Sequence, residues 1–341
     1  MQQTRRKKIK NKFEVNQIGI KTLAALFQKK NSFLLLSHIN PDGDALGSML
    51  ALGEGLRSLG KSVRLFNETG VPPLYKFLPH AKEVATRLDA WNDFDIAVLL
   101  DCHSLKRAGK KAAKAALIQD LAILDHHEVG QPVLSAASMI DPEVSATGEL
   151  IYQLLISMEV DITPQMATNL FTAISTDTGS FSFDNTTASC LDVAAALVRR
   201  GARPWEIFRQ LNFNMPPQRL NLLSRSLENI EYYHQGRIGT LTVNSEVMAA
   251  TKTSKIDTEG FVSYPRSVRG VELALLITEN GDGVCHVSLR SQGKVDAAAL
   301  AGTFGGGGHH NAAGFSLAGT VEEVKTRVIS AAISFLPPEG A

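Results

Sequence analysis

A chain of 341 residues, 44% hydrophobic and 20% charged, has the apolar material for two packed domains and the balance of an ordinary globular protein. Its formal net charge of +1 argues against nucleic-acid binding by bulk electrostatics. Three scattered cysteines, Cys102, Cys190 and Cys285, make neither a disulfide framework nor a thiolate metal pair. No apolar run approaches a bilayer span, and the basic start is not followed by a signal-peptide core. A cytoplasmic protein with no membrane contact is the expectation.

In chain order, the basic stretch RRKKIKNK at 5–12 reads as a solvated arm over residues 1–14, with a weak contact to a phosphate backbone as its alternative. SFLLLS predicts a short buried strand. ALGSMLALGEGLRSLG predicts a helix, with Leu46, Leu50, Leu52, Leu56 and Leu59 near one side and Gly60 ending it. KSVRLFN, DFDIAVLLD and DLAILDHH read as three further strands. SATGELIYQLLISM reads as a helix opened by a capping box, and TPQMATNLFTAISTDTG as a helix with Pro164 in its first turn. Residues 201–235 read as a helical linker, broken at Pro204, Pro216 and Pro217. RIGTLTVN, VELALLIT and GVCHVSLRS then make a second strand-rich segment, which carries GTFGGGGHHNAAGF and closes on a helical VEEVKTRVISAAISFL.

Strands alternating with helices predict crossover units and a parallel sheet. The fold class is therefore α/β: a parallel-sheet domain flanked by helices over 15–200, the linker helices, and a smaller α/β domain over 236–338. In such sheets ligands lie beyond the carboxyl ends of the strands. The apolar runs of this chain end on acids and imidazoles. After Leu36 come His38, Asp42 and Asp44; after Leu100, Asp101; after Leu124, Asp125, His126 and His127; and after the helix near Ile174, Asp177. Each alone has a plainer reading, as a turn former, a helix cap or a buried imidazole. Parallel topology would bring all of them to one edge. Carboxylates and imidazoles without thiolates suit manganese, magnesium, cobalt or zinc. The ligands outnumber what one cation can use, and two cations sharing a carboxylate, about 3.5–4 Å apart, catalyse phosphoester hydrolysis. Glycines 305–308 would let backbone approach a phosphate or base, with His309 and Arg290 as contacts. A flexible turn is the plainer reading of the glycines.

HINPDGDALGS, LLDCHS, LDHHE and STDTGSFSFDNTT together resemble the motifs of the DHH phosphoesterase superfamily, and SLRSQGKVDAAALAGTFGGGGHHNAAGF resembles its DHH-associated C-terminal domain. The resemblance runs from about residue 15 to 335. Size and domain order are similar to the bacterial nanoRNase group, oligoribonucleases that also remove the 3′-phosphate of 3′-phosphoadenosine 5′-phosphate. The resemblance implies two divalent cations, manganese foremost and magnesium or cobalt as alternatives. His38, Asp42 and Asp101 would hold one; Asp44, Asp101, His126 and Asp177 would hold the other, with Asp101 bridging. Asp125 would orient a ligand histidine, and His127 would face the scissile phosphate. Asp101, Asp125 and His127 thus form the implied catalytic set. Arg290, Gly306, Gly307, Gly308 and His309 would grip the far end of a short RNA or adenine nucleotide, and such a clamp accounts for short substrates. A homodimer is the expected oligomer. The sequence departs from the family at Gly130, where asparagine is usual. Relatives with the same two domains hydrolyse cyclic di-AMP or pApA, and the motifs do not separate them. A regulatory module that has lost catalysis should lack a ligand, and none is missing.

Overall fold

The computed structural model describes residues 19–91, 93–127, 137–213, 215–279, 281 and 283–338; the basic arm and Gly130 lie outside them. The chain divides into two compact units, residues 1–214 and 215–341.

In the first unit the architecture rests on two-sided burial of one short strand. Helix α1 (19–29) leads into β1 (Ser32–Ser37), where Phe33 and Leu35 face one core and Leu34 and Leu36 the opposite one. Full burial of each such side chain is worth about 1.5–3 kcal/mol, which fixes the strand centrally. Next come α2 (Gly43–Ser58), β2 (Ser62–Phe66), β3 (Ile96–Leu100), the short α3 (Leu105–Ala108), β4 (Asp120–Asp125) and β5 (Ala137–Ile140). The strands make one sheet in the order β2-β1-β3-β4-β5, and every pairing is parallel. The strand order reverses direction between β1 and β3, which places the crevice for a ligand at the carboxyl ends of those two strands. Helices α2, α4 (Thr147–Ser157), α5 (Pro164–Asp177) and α6 (Ala188–Arg199) pack with the larger core; α7 (Pro204–Asn212) adds Ile207 to it. The smaller core, around Trp91, Cys102 and Ala108, covers the other face.

Two glycines set how closely α2 approaches α5. A Cβ on Gly43 would lie 2.3 Å from Thr176 Oγ1, and one on Gly47 would lie 2.3 Å from the Asn169 carbonyl oxygen. Gly43 is therefore a helical contact residue rather than part of a loop turn.

The second unit comprises α8 (Pro217–Leu227), β6 (Ile230–Tyr233), β7 (Ile238–Val243), α9 (Ser245–Thr251), α10 (Ser263–Arg266), β8 (Leu273–Glu279), β9 (Val284–Ser291), α11 (Ala297–Gly302), β10 (Gly307–His309), β11 (Ala312–Ala318) and α12 (Val321–Ile333). Its sheet runs β10-β11-β9-β8-β7-β6; β7 and β8 are parallel and the other pairs antiparallel. One core lies beneath α11 and α12; the other takes Leu222 and Leu223 of α8 and Met248 of α9.

The structure departs from the sequence expectations in four places. The segment read as linker helices divides: α7 packs within the first unit and α8 within the second. IEYY, read as the end of that helical stretch, is β6, because its β-branched and aromatic residues pair antiparallel with Ile238–Leu241. Strand β5 has no counterpart among the expected elements. The expected capping box on α4 is absent: its N-cap is Ala146, with no side-chain cap, and its free N–H groups find an acceptor on α2 instead.

Candidate active site

The carboxyl ends of β1, β3 and β4, with the facing ends of α2 and α5, deliver the acidic and imidazole groups. His38 follows β1. Its Nδ1 donates to the Ile39 carbonyl at 2.9 Å, which leaves Nε2 aimed inward. That Nε2 lies 3.3 Å from Asp101 Oδ2 and 3.8 Å from Asp42 Oδ2. Asn67 holds the turn, its Nδ2 donating to Ser37 Oγ and to the His38 carbonyl. Asp42 is the N-cap of α2, accepting from Ala45 N at 3.0 Å, so the cap reading and the site reading fall on one residue.

Asp101 sits at the tip of β3 in the left-handed region, with φ 57°. Aspartate tolerates this region better than most residues, and its N–H is held by the Leu124 carbonyl of β4 at 2.9 Å. The conformation turns the side chain across the strand ends. One oxygen faces His38; the other lies 3.6 Å from His126 Nε2, 3.5 Å from His127 Nδ1, and accepts from Thr147 Oγ1 at 3.2 Å.

Asp44, fully buried in the first turn of α2, accepts from the N–H groups of Thr147 and Gly148 at 2.6 and 2.9 Å and from Ser48 Oγ at 3.1 Å. Those two N–H groups open α4. A carboxylate from another helix thus supplies the cap that α4 lacks, with the helix dipole in its favour. His126 Nε2 lies 3.8 Å from Asp44 Oδ2 and 3.1 Å from Asp177 Oδ2, the latter at the last residue of α5.

Three sets of ligand atoms have mutual distances within 4.8 Å: His38, Asp42 and Asp101; Asp44, His126 and Asp177; and Asp101, His126 and His127. The first two contain all six expected ligands, and Asp101 lies against both. Asp125 differs from expectation in its partner. Its carboxylate accepts from His127 Nδ1 at 2.7 Å and from His103 Nδ1 at 3.1 Å, not from His126, because His127 is the residue whose ring folds back over β4. His103 and Thr147 carry no role in the sequence reading. For His103 the available signal is its spacing, two residues beyond Asp101; for Thr147 it is a helix start among strand-end acids.

Burial and mutual repulsion act on these crowded charges. Burial, followed by the neighbouring Asp101 and Asp177 charges, pushes the Asp44 carboxyl well above the usual range; burial and Asp42 push Asp101 the same way. Burial opposes charge on His38, but bonds to Asp101 and Asp42 outweigh it and raise the ring to about 10. His126 is likewise raised to about 10, against burial, by Asp177 and Asp44. Burial disfavours Asp125 as an anion, yet His127 and His103 hold it down at about 2. Oxygen and imidazole donors around a buried excess of carboxylate fit hard or borderline divalent cations.

In the second unit, cross-strand register aligns Arg290 of β9, Ala312 of β11 and His309 of β10 in one row. Burial and the nearby Arg266 pull the Arg290 guanidinium below its usual range, against the opposing charge of Glu259. Gly306 and Gly308 are required by close approach: a Cβ would lie 2.3 Å from the Gly314 carbonyl oxygen and 2.4 Å from that of Ala312. Gly307 faces open space.

Residues 32–174 match the model of the DHH family, N-terminal domain, and residues 243–336 match the DHHA1 domain. The chain is 31% identical over 298 residues to the bifunctional oligoribonuclease and PAP phosphatase NrnA of Thermus thermophilus, covering 87% of this chain and 88% of that one. It is 25% identical to the cyclic-di-AMP phosphodiesterase PdeA of Listeria monocytogenes, covering 91% of this chain and 48% of the longer relative. Among solved structures, an exopolyphosphatase-related protein from Bacteroides fragilis superposes with a TM-score of 0.87 at 28% identity, over 93% of this chain and 96% of that one. The chain belongs to the DHH family of phosphoesterases, hydrolases of phosphoester bonds. Within that family its relatives place it in the NrnA group.

Proposed function

We propose that the protein hydrolyses short oligoribonucleotides and the 3′-phosphate of 3′-phosphoadenosine 5′-phosphate, using two divalent cations, with manganese the best fit. The observation that carries this reading is the Asp101 carboxylate, whose two oxygens face different ligand sets. His38, Asp42 and Asp101 would hold one cation, and Asp44, Asp101, His126 and Asp177 the other. When bound, such a pair supplies a more acidic water and offsets charge on the departing oxygen. The chain's own contribution is positional. Thr147 and the α4 N–H groups fix Asp101 and Asp44, and Asp125 fixes the His127 ring, which would face the scissile phosphate. In the second unit Arg290, Gly306, Gly307, Gly308 and His309 bind phosphate or base: the guanidinium supplies charge and the glycines expose backbone.

Cyclic di-AMP or pApA hydrolysis is the second reading, favoured by the similarity to PdeA across 91% of this chain. The test is product release with manganese from 3′-phosphoadenosine 5′-phosphate, 5′-phosphorylated RNAs of graded length, pApA and cyclic di-AMP, each with a chelator control. Fast turnover of the monophosphate and shortest RNAs supports the first reading. Preference for cyclic di-AMP replaces it with the second. Full activity in chelator removes the cation assignment.

A further inference from the structure

Helix α7 packs Ile207 and Leu211 on the core, while Trp205 and Phe208, with Phe213 just beyond its end, face outward. Trp205 is 61% exposed, Phe208 38% and Phe213 62%. Their rings nonetheless form one cluster: Trp205 stacks with Phe208 at 6.2 Å between centroids, and Phe213 meets both edge-on at 5.7 Å. Exposed aromatic clusters in a soluble protein mark an interaction surface. The same stretch, RRGARPWEIFRQLNF at 199–213, holds Arg199, Arg200, Arg203 and Arg209 against the single acid Glu206. All four arginines are exposed; Arg200 pairs with Asp161 at 2.6 Å and Arg203 with Glu206 at 2.8 Å, while Arg199 and Arg209 make no ion pair among the described residues. A protein of net charge +1 thus carries three net positive charges in these fifteen residues, offset in part by Asp161, in the same stretch as three exposed aromatic rings.

A cavity of about 380 Å³ opens against another side of α7, lined among others by Gln165, Thr168, Arg203, Glu206, Arg209 and Gln210; none of the three rings lines it. The cavity also touches Pro164, the first residue of α5, whereas Asp177 of the candidate metal centre is the last. A helix of 14 residues separates its two ends by about 20 Å.

We propose that the α7 face is an accessory docking site for single-stranded RNA, at the opposite end of α5 from the hydrolytic centre. It engages strands longer than the shortest substrates. The chemistry that selects this occupant is paired: bases stack on aromatic faces whatever their sequence, and guanidinium groups neutralise the phosphates between them. The inference rests on the oligoribonuclease reading for the identity of the nucleic acid, but its test does not depend on turnover.

The test uses the full chain in chelator, titrated with a labelled single-stranded RNA of about 12 nucleotides and, separately, with a dinucleotide. The chain has two tryptophans, and Trp91 is 7% exposed, so quenching by the bound strand reports Trp205. In a Trp205→Ala/Phe213→Ala variant the longer strand should bind about tenfold or more weakly. Arg209→Glu should weaken binding and flatten its salt dependence by about one counterion. Dinucleotide turnover with manganese should stay within about twofold of the parent in both variants, which also shows that they fold. Unchanged binding of the longer strand by the double variant overturns the proposal. So does unchanged RNA binding with loss of a dimer on gel filtration, which would assign the face to a second copy of the chain. Absence of RNA hydrolysis by the parent would instead sink the proposed function and leave the docking titration to be read alone.

Discussion

The two sheets present their polar groups in opposite ways. In the first unit, parallel strands end level with one another, and Asp101, His126 and the side chains of α2 and α5 crowd within a few ångströms, largely buried. In the second, Arg290 and His309 stand two strands apart in one row, and His309 lies on the exposed edge strand β10. A parallel sheet concentrates charge at one edge, where protons or a bound cation offset the crowding. An edge hairpin of glycines spreads contacts along backbone, where each contributes modestly. The first arrangement should therefore fail abruptly when one member is lost, and the second by degrees.

The largest expected effect comes from that contrast. Asp101→Ala should lower kcat/KM by at least about 10³-fold on every substrate, because groups that act as a unit are lost together. Near-normal turnover would remove the shared-carboxylate assignment. Gly47→Ala comes next: its methyl would meet the Asn169 carbonyl, and overpacking of this kind costs about 1–3 kcal/mol, read as a lower Tm. Because α2 carries Asp44, activity should fall with it; an unchanged Tm would show that the α2–α5 contact yields without cost. His309→Ala should raise KM about tenfold with kcat nearly kept, and the reverse pattern would place His309 with the reacting atoms.

The smallest effect is a matter of protons. Without a cation, His38 and His126 are raised to about 10, so each stays protonated above its ordinary 6.5. Their contribution to stability is complete below about 6.5 and is lost as pH rises through about 10. A cation needs these rings neutral, so its apparent affinity should rise with pH across the same window and its binding should release protons. Calorimetry of manganese binding in buffers of different ionisation enthalpy measures that release; none detected would mean that the imidazoles are not ligands.

Much of the first unit is legible in the sequence for a specific reason. The apolar runs before His38, Asp101 and Asp125 are short and end on an imidazole or an acid, so strand and strand end are read together, and parallel topology does the rest. Strand β6 escapes such a reading because IEYY continues a helical stretch without a breaker, and only its pairing with β7 makes it a strand. The cap of α4 cannot be read locally, since Asp44, its acceptor, lies more than one hundred residues earlier. His103 stays silent because nothing in DCHS says that its ring reaches Asp125 on the next strand. Local patterns announce strands, helices and ligand types; contacts between distant segments are settled by packing.

The trans cap from Asp44 bears on how such a protein would decay. Asp177, at the exit of α5, can be lost with little damage to the scaffold, whereas loss of Asp42 removes the cap of α2. Asp44 cannot be lost in this way, because two N–H groups of α4 would be stranded in a dry interior. In a lineage drifting away from hydrolysis, Asp177 should disappear first, while Asp44 persists as a fossil of the chemistry, retained by the fold it supports.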